Sequence, residues 1–172
     1  MVSYPPSVSG LVGSCVVIPC SFGYPGDRDP EHQITGIWYR DQKVRGTQVY
    51  HSDPSQTVSR EYAGRTEIVG DLGRGNCTYK IRRLRATDQT KYFFRFEVTG
   101  VNDWTDGKGV VVNVAEHLES PRIEAMTEVM ELQMVTATCS TRYSCPDQPT
   151  LLRWLETNIS QGWSLEAWSG PD

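Results

Sequence analysis

The chain has 172 residues, 38% of them hydrophobic and 22% charged, the proportions of a folded protein rather than a disordered one. Seventeen basic against 21 acidic side chains leave a formal charge of −4, which argues against a nucleic-acid partner held by a basic stripe. No apolar run nears the roughly 18 residues of a membrane helix, and residues 1–10 lack the basic flank and apolar run of a signal peptide. Val12-Gly13-Ser14-Cys15 looks like a lipid-attachment box but lacks the apolar run that should precede it.

From the N-terminus onward the sequence reads as strands. Cys15–Cys20, Gly36–Arg40, Gln48–His51, Tyr79–Ile81, Lys91–Val98 and Val110–Val114 are short and rich in β-branched or aromatic residues. Turn clusters separate them: Tyr24-Pro25-Gly26-Asp27, Gly70-Asp71-Leu72-Gly73 and Thr105-Asp106-Gly107-Lys108-Gly109. Strands at this spacing, without helical periodicity between them, predict an all-β antiparallel sandwich. Cys20 on an early strand, Trp38 one strand later, and Tyr92 after Asp88-Gln89-Thr90-Lys91 make that sandwich immunoglobulin-like. Arg65 precedes Asp88 at the distance of the ion pair found in variable-type domains, and extra strands between Trp38 and Arg65 fit the same type. Residues 1–116 are therefore expected to form one variable-type domain.

The cysteines depart from the ordinary pattern. The spacings of Cys15, Cys20, Cys77, Cys139 and Cys145 are wrong for a zinc finger or ribbon, so disulfides of an extracellular chain are the better reading. Two residues after the corner tyrosine, where the second core cysteine belongs, stands Phe94. Cys77 is the available substitute. A Cys20–Cys77 bond would join neighbouring strands of one sheet and let the two sheets part around Phe94. After a break at Glu116–Pro121, residues 117–172 read as the start of a second, constant-type domain. Its strands are expected at Pro121–Met126, Met134–Ser140 and Leu151–Leu155, with Cys139 and Trp154 at its cysteine and tryptophan positions. The partner of Cys139 is expected outside this chain, and Cys15 and Cys145 could then bridge the two domains.

Together these departures resemble the siglecs, the sialic-acid-binding immunoglobulin-like lectins, nearest to the sialoadhesin-type branch with the B-cell and myelin branches close by. The resemblance is carried by residues 13–20, Ile34–Tyr39, Gly64-Arg65, Asn76-Cys77-Thr78, Tyr92–Glu97, Asn102-Asp103-Trp104, Gly109 and Cys139–Cys145. It implies bonds Cys20–Cys77 within the first domain and Cys15–Cys145 between domains. It also implies a cell-surface, single-pass receptor whose membrane anchor lies elsewhere, whose partners are sialylated glycans, and which needs no cofactor or metal.

Strand alternation turns Tyr92, Phe94 and Phe96 inward and Phe93, Arg95 and Glu97 outward. An outward guanidinium suits a sugar carboxylate, because its fork makes two parallel charge-assisted hydrogen bonds. The plain alternative is a surface arginine bridged to Glu97, two residues along the same face, which would be worth little. Arg95 matches the arginine that binds sialic acid in the family. The resemblance also gives Trp104 to the sugar's glycerol tail and backbone groups of Val101, Asp103 and Thr105 to its acetamido and hydroxyl groups. Parity alone would turn Trp104 inward with Val110, Val112 and Val114; a break at Asp106–Gly109 is expected to turn it outward. The family's further tryptophan at the start of the first strand is absent from these residues.

Asn76-Cys77-Thr78 and Asn158-Ile159-Ser160 are glycosylation sequons. His32, His51 and His117 stand on separate segments with no nucleophile elbow or phosphate loop near them, so no enzyme is expected. The rival function is an immunoglobulin receptor that grips a protein partner through the face bearing Arg95.

Overall fold

Pro19 has no N–H to give a ladder, and it cuts the first apolar run into two strands. The computed structural model describes residues 1–24, 32–43, 45–125, 128, 130, 133–143, 145–147, 149, 151–159 and 162–170, with residues 155–159 and 162–170 described by backbone alone. Its strands are β1 (Val2–Ser3), β2 (Ser7–Leu11), β3 (Val16–Ile18), β4 (Ser21–Phe22), β5 (Ile34–Arg40), β6 (Thr47–His51), β7 (Thr66–Ile68), β8 (Tyr79–Ile81), β9 (Thr90–Val98), β10 (Asn102–Thr105), β11 (Val110–Ala115), β12 (Arg122–Ala125), β13 (Ala137–Ser140), β14 (Leu151–Ile159) and β15 (Gly162–Gly170).

The larger sheet runs β2-β11-β9-β5-β6, with β10 added along the upper part of β9. The facing sheet is β3-β8-β7. β2 lies parallel to β11 while β1 pairs with β4, so the first segment of chain serves both sides of the sandwich. Of the extra strands expected between Trp38 and Arg65, only β6 lies there among the described residues.

Between the sheets the apolar side chains are sealed from water: Ile18, Trp38, Tyr79, Tyr92, Phe94, Phe96, Val110 and Val112 expose nothing. Trp38 stacks on Tyr79 at 4.8 Å and packs against Phe94 at 5.3 Å. Cys20 and Cys77 are bonded, and the Cys77 amide donates to the Cys20 carbonyl at 3.0 Å, so the bridge lies within one sheet. Phe94 fills the space that a bond between the sheets would cross.

At one end of the sandwich, Arg65 grips Asp88 through two hydrogen bonds of 2.9 Å, both side chains almost wholly buried. The corner tyrosine Tyr92 donates to the Asp88 carbonyl at 2.8 Å. Burial would raise the Asp88 pKa, but the bonds from Arg65 and the Arg85 amide outweigh it and hold the carboxyl below its ordinary value.

In the remaining residues, β12 pairs with β13 and β14 with β15. β12 falls inside the expected Pro121–Met126 strand, whose last residue lies outside the described set; β13 begins only at Ala137. The expected Leu151–Leu155 strand runs on to Ile159, because it is one arm of a long hairpin with β15. Trp154 is 45% exposed, and Cys139 is a half-buried free thiol. This segment is tied back by the Cys15–Cys145 disulfide, and Asp147 forms ion pairs with Lys80 and Arg82 beside it.

Candidate functional site

The site is built on β9. Its inward residues Tyr92, Phe94 and Phe96 are wholly buried, and its outward Arg95 and Glu97 remain open to solvent. Phe93 is the exception among the outward set, at 6% exposure. It pairs across with Tyr39, its ring lies under the Lys91 ammonium at 5.6 Å, and the chain at Gly109 passes close above. Gly109 has φ +68°, and a Cβ there would come within 2.6 Å of the Phe93 ring, so glycine alone allows this passage.

Strand G is split. β11 pairs with β9 at Thr90–Tyr92, and β10 pairs with it at Arg95–Val98. Between the halves the Asp106 carboxylate accepts the amides of Lys108 (2.7 Å) and Gly109 (2.8 Å) together with the Tyr4 hydroxyl. Burial pushes the Asp106 pKa up, yet the Tyr4 hydroxyl and these amides leave it below the ordinary carboxylate value.

All three nitrogens of Arg95 have partners. Nε donates to Glu97 Oε1 at 2.9 Å, Nη1 donates to Thr105 Oγ1 at 3.0 Å, and Nη2 pairs with Asp103 Oδ2 at 2.5 Å. The register explains the cluster: Thr105 stands opposite Arg95 and Asp103 opposite Glu97, so all four point to one face. Burial works against the charge on Arg95, but Glu97 and Asp103 more than offset it and raise its pKa above the usual arginine value. Tyr39 borders the same face, and desolvation raises its pKa. The expected bridge to Glu97 is present. Asp103 and Thr105 enter with their side chains as well, which sequence reasoning missed; their shared parity with Arg95 was the available signal.

Trp104 corrects an expectation. It does not turn outward beside Arg95. Thr99-Gly100-Val101 forms a three-residue turn that places Asn102 opposite Val98, and the register then sets Trp104 opposite the inward Phe96. The break at Asp106–Gly109 follows Trp104 and leaves its side unchanged. The indole stacks on Phe96 at 4.9 Å and on Tyr24 at 6.0 Å, half-buried at the margin of the core.

The backbone expectations divide. The Asp106 amide donates to the Phe94 carbonyl at 3.0 Å, so Trp104, two residues earlier, takes the same hydrogen-bonded kind of position opposite Phe96. Asp103 and Thr105 alternate with these positions and direct their main-chain groups to the open edge of β10. The Asp103 amide on that edge is met by Asn102 Oδ1 at 2.9 Å. The Val101 amide is already used, donating to the Val98 carbonyl at 3.0 Å inside the turn.

A family model described as "B-cell receptor CD22-like, first Ig-like" matches residues 12–117. The myelin-associated glycoprotein of Rattus norvegicus is 31% identical over 153 residues, which cover 88% of this chain and 24% of that protein. Schwann cell myelin protein of Coturnix japonica is 33% identical over 158 residues, covering 89% and 24%. Sialic acid-binding Ig-like lectin 8 of Homo sapiens is 30% identical over 162 residues, covering 86% and 32%. The chain thus spans about a quarter of the length of the two myelin proteins.

Proposed function

This chain belongs to the siglec family of immunoglobulin-like receptors, and from that premise we propose that the outer face of β9 and β10 binds terminal sialic acid on glycans, Arg95 holding the sugar carboxylate. The observation that carries the reading is a part-exposed arginine on the outer sheet face, one strand from an open edge. A guanidinium offers five N–H donors, so a carboxylate fork can be met while Arg95 keeps a contact to its neighbours. The edge groups of Asp103 and Thr105 are suited to the amide and hydroxyls of the sugar. Trp104, turned to the inner side and only part-exposed, offers no more than its rim to the glycerol tail. Asp103 is the assignment most altered from expectation, since its side chain also sits on Arg95.

The same reading makes the protein a cell-surface adhesion or signalling receptor, anchored through a segment beyond these residues and acting by reversible binding rather than catalysis. Residues 117–172 are the beginning of a second, constant-type immunoglobulin unit in which Cys139 awaits its partner; the open faces at Ile123, Leu151 and Trp154 support this. Asn76 is exposed and its Oδ1 accepts from the Thr78 amide and hydroxyl, which supports glycan attachment there. The second sequon asparagine, Asn158, is proposed on its motif alone.

Titration of 3′-sialyllactose tests the assignment. A shallow site with one ion pair should bind a single sugar on the order of millimolar, since ordering and desolvation consume much of the contact energy. Arg95→Ala should abolish that binding. Arg95→Lys, which keeps the charge but loses the fork, should weaken it about tenfold or more. Cell binding that survives sialidase would instead support a protein partner on this face.

A further inference from the structure

Arg95 has more negative partners than a receptor arginine needs. Two carboxylates, Glu97 and Asp103, stand on one guanidinium, so the patch as a whole is anionic. A ligand carboxylate approaching it meets repulsion before it meets the arginine.

The two acids are placed differently. Glu97 lies on the same strand as Arg95, two residues along, and covers the Nε side. Asp103 reaches in from β10, which pairs with β9 alone among the described residues. Its side chain is 48% exposed, and it takes Nη2, at the free end of the guanidinium where an incoming fork would dock. The main chain of Asp103 is held in register opposite Glu97, so the carboxylate can leave Arg95 by side-chain rotation, without moving the strand.

We propose that Asp103 is an internal competitor of the ligand: in the ligand-free protein its carboxylate fills the place on Arg95 that the ligand's carboxylate takes, and it turns out to solvent on binding. The proposal rests on the sialic-acid reading of this face and adds what limits the strength of the site. Binding exchanges one carboxylate for another on the same donors, so the net gain is a difference between two similar contacts. An exposed pair of this kind contributes little to folding, so the competitor limits binding without holding up the fold.

The test uses the whole 172-residue chain and two titrants, followed at the Arg95 Nε–H by NMR. One titrant is 3′-sialyllactose; the other is acetate, a carboxylate with none of the sugar. Asp103→Asn, neutral and of the same shape, should bind both about three- to tenfold more tightly than wild type. Glu97→Gln should gain less, because it lies at the Nε side. Weaker binding by Asp103→Asn would show that Asp103 positions Arg95 rather than competes for it. Unchanged affinity, or failure of both titrants to reach Arg95 in that variant, would equally overturn the proposal. The lectin assignment fails separately: if sialyllactose binds no variant while acetate still gains in Asp103→Asn, the competitor stands and the sugar falls.

Discussion

Arg65 and Arg95 are both paired with carboxylates in the same domain, yet they do opposite work. Arg65 is 3% exposed and meets Asp88, at 1%, through two bonds of one length, with carbonyls of Glu61, Arg82 and Arg83 taking its other donors. Arg95 is 28% exposed and its acids are close to half-exposed. Water screens the second arrangement and not the first. A buried pair cannot be opened without leaving a bare charge in the core, whereas a screened pair can exchange partners at little cost. Burial separates the arginine that fixes the domain from the one whose partners lie within reach of water.

That contrast can be broken most directly at Arg65. Arg65→Ala leaves Asp88 buried and unpaired and should lower the stability of the first domain by about 3–5 kcal/mol in urea or thermal unfolding. A loss below ~1 kcal/mol would put the two arginines in one class. Acid should act on the same pair. The Asp88 pKa is depressed in the folded protein, so its stabilisation is present above the unfolded value of about 3.9 and is lost as pH falls through the folded value. Stability measured from pH 5 to pH 2 should therefore fall steeply in wild type and less steeply in Asp88→Asn, which has no carboxyl to protonate there. Arg95→Ala supplies the opposite end of the comparison: unfolding should shift by less than about 1 kcal/mol even though the outer face of β9 has lost its arginine. The smallest effect is expected at Thr105→Val, which removes one hydroxyl from Nη1 and should change stability by about 0.5 kcal/mol or less.

Much of this was legible in the residues. Alternation along Tyr92-Phe93-Phe94-Arg95-Phe96-Glu97 gave the two faces of β9, because a strand's period of two admits no other assignment once three large aromatics must be buried. Phe94 in place of a cysteine pointed to Cys77, and the bond lies there. What escaped was fixed by register between strands rather than by pattern within one. Trp104 falls on the inner side because a three-residue turn sets it opposite Phe96; the chain's local sequence does not state that count. Asp103 and Thr105 reach Arg95 by the same count. β2 and β7 escaped for another reason. Ser7-Val8-Ser9-Gly10-Leu11 and Thr66-Glu67-Ile68 are short and largely polar, and pairing with β11 and β8 supplies the order that their own composition does not.

The disulfides also settle how a pull would pass through the protein. Between Arg95 and Cys145 the chain itself runs fifty residues, through β10, β11 and the segment at Glu116–Pro121. A second covalent route is about half as long: back eighteen residues to Cys77, across to Cys20, five residues to Cys15, and across to Cys145. Were Arg95 pulled while Cys145 was held, the shorter route would be drawn taut first. That route passes through β9, β8 and two sulfur–sulfur bonds, whereas the longer one runs through β10 and β11.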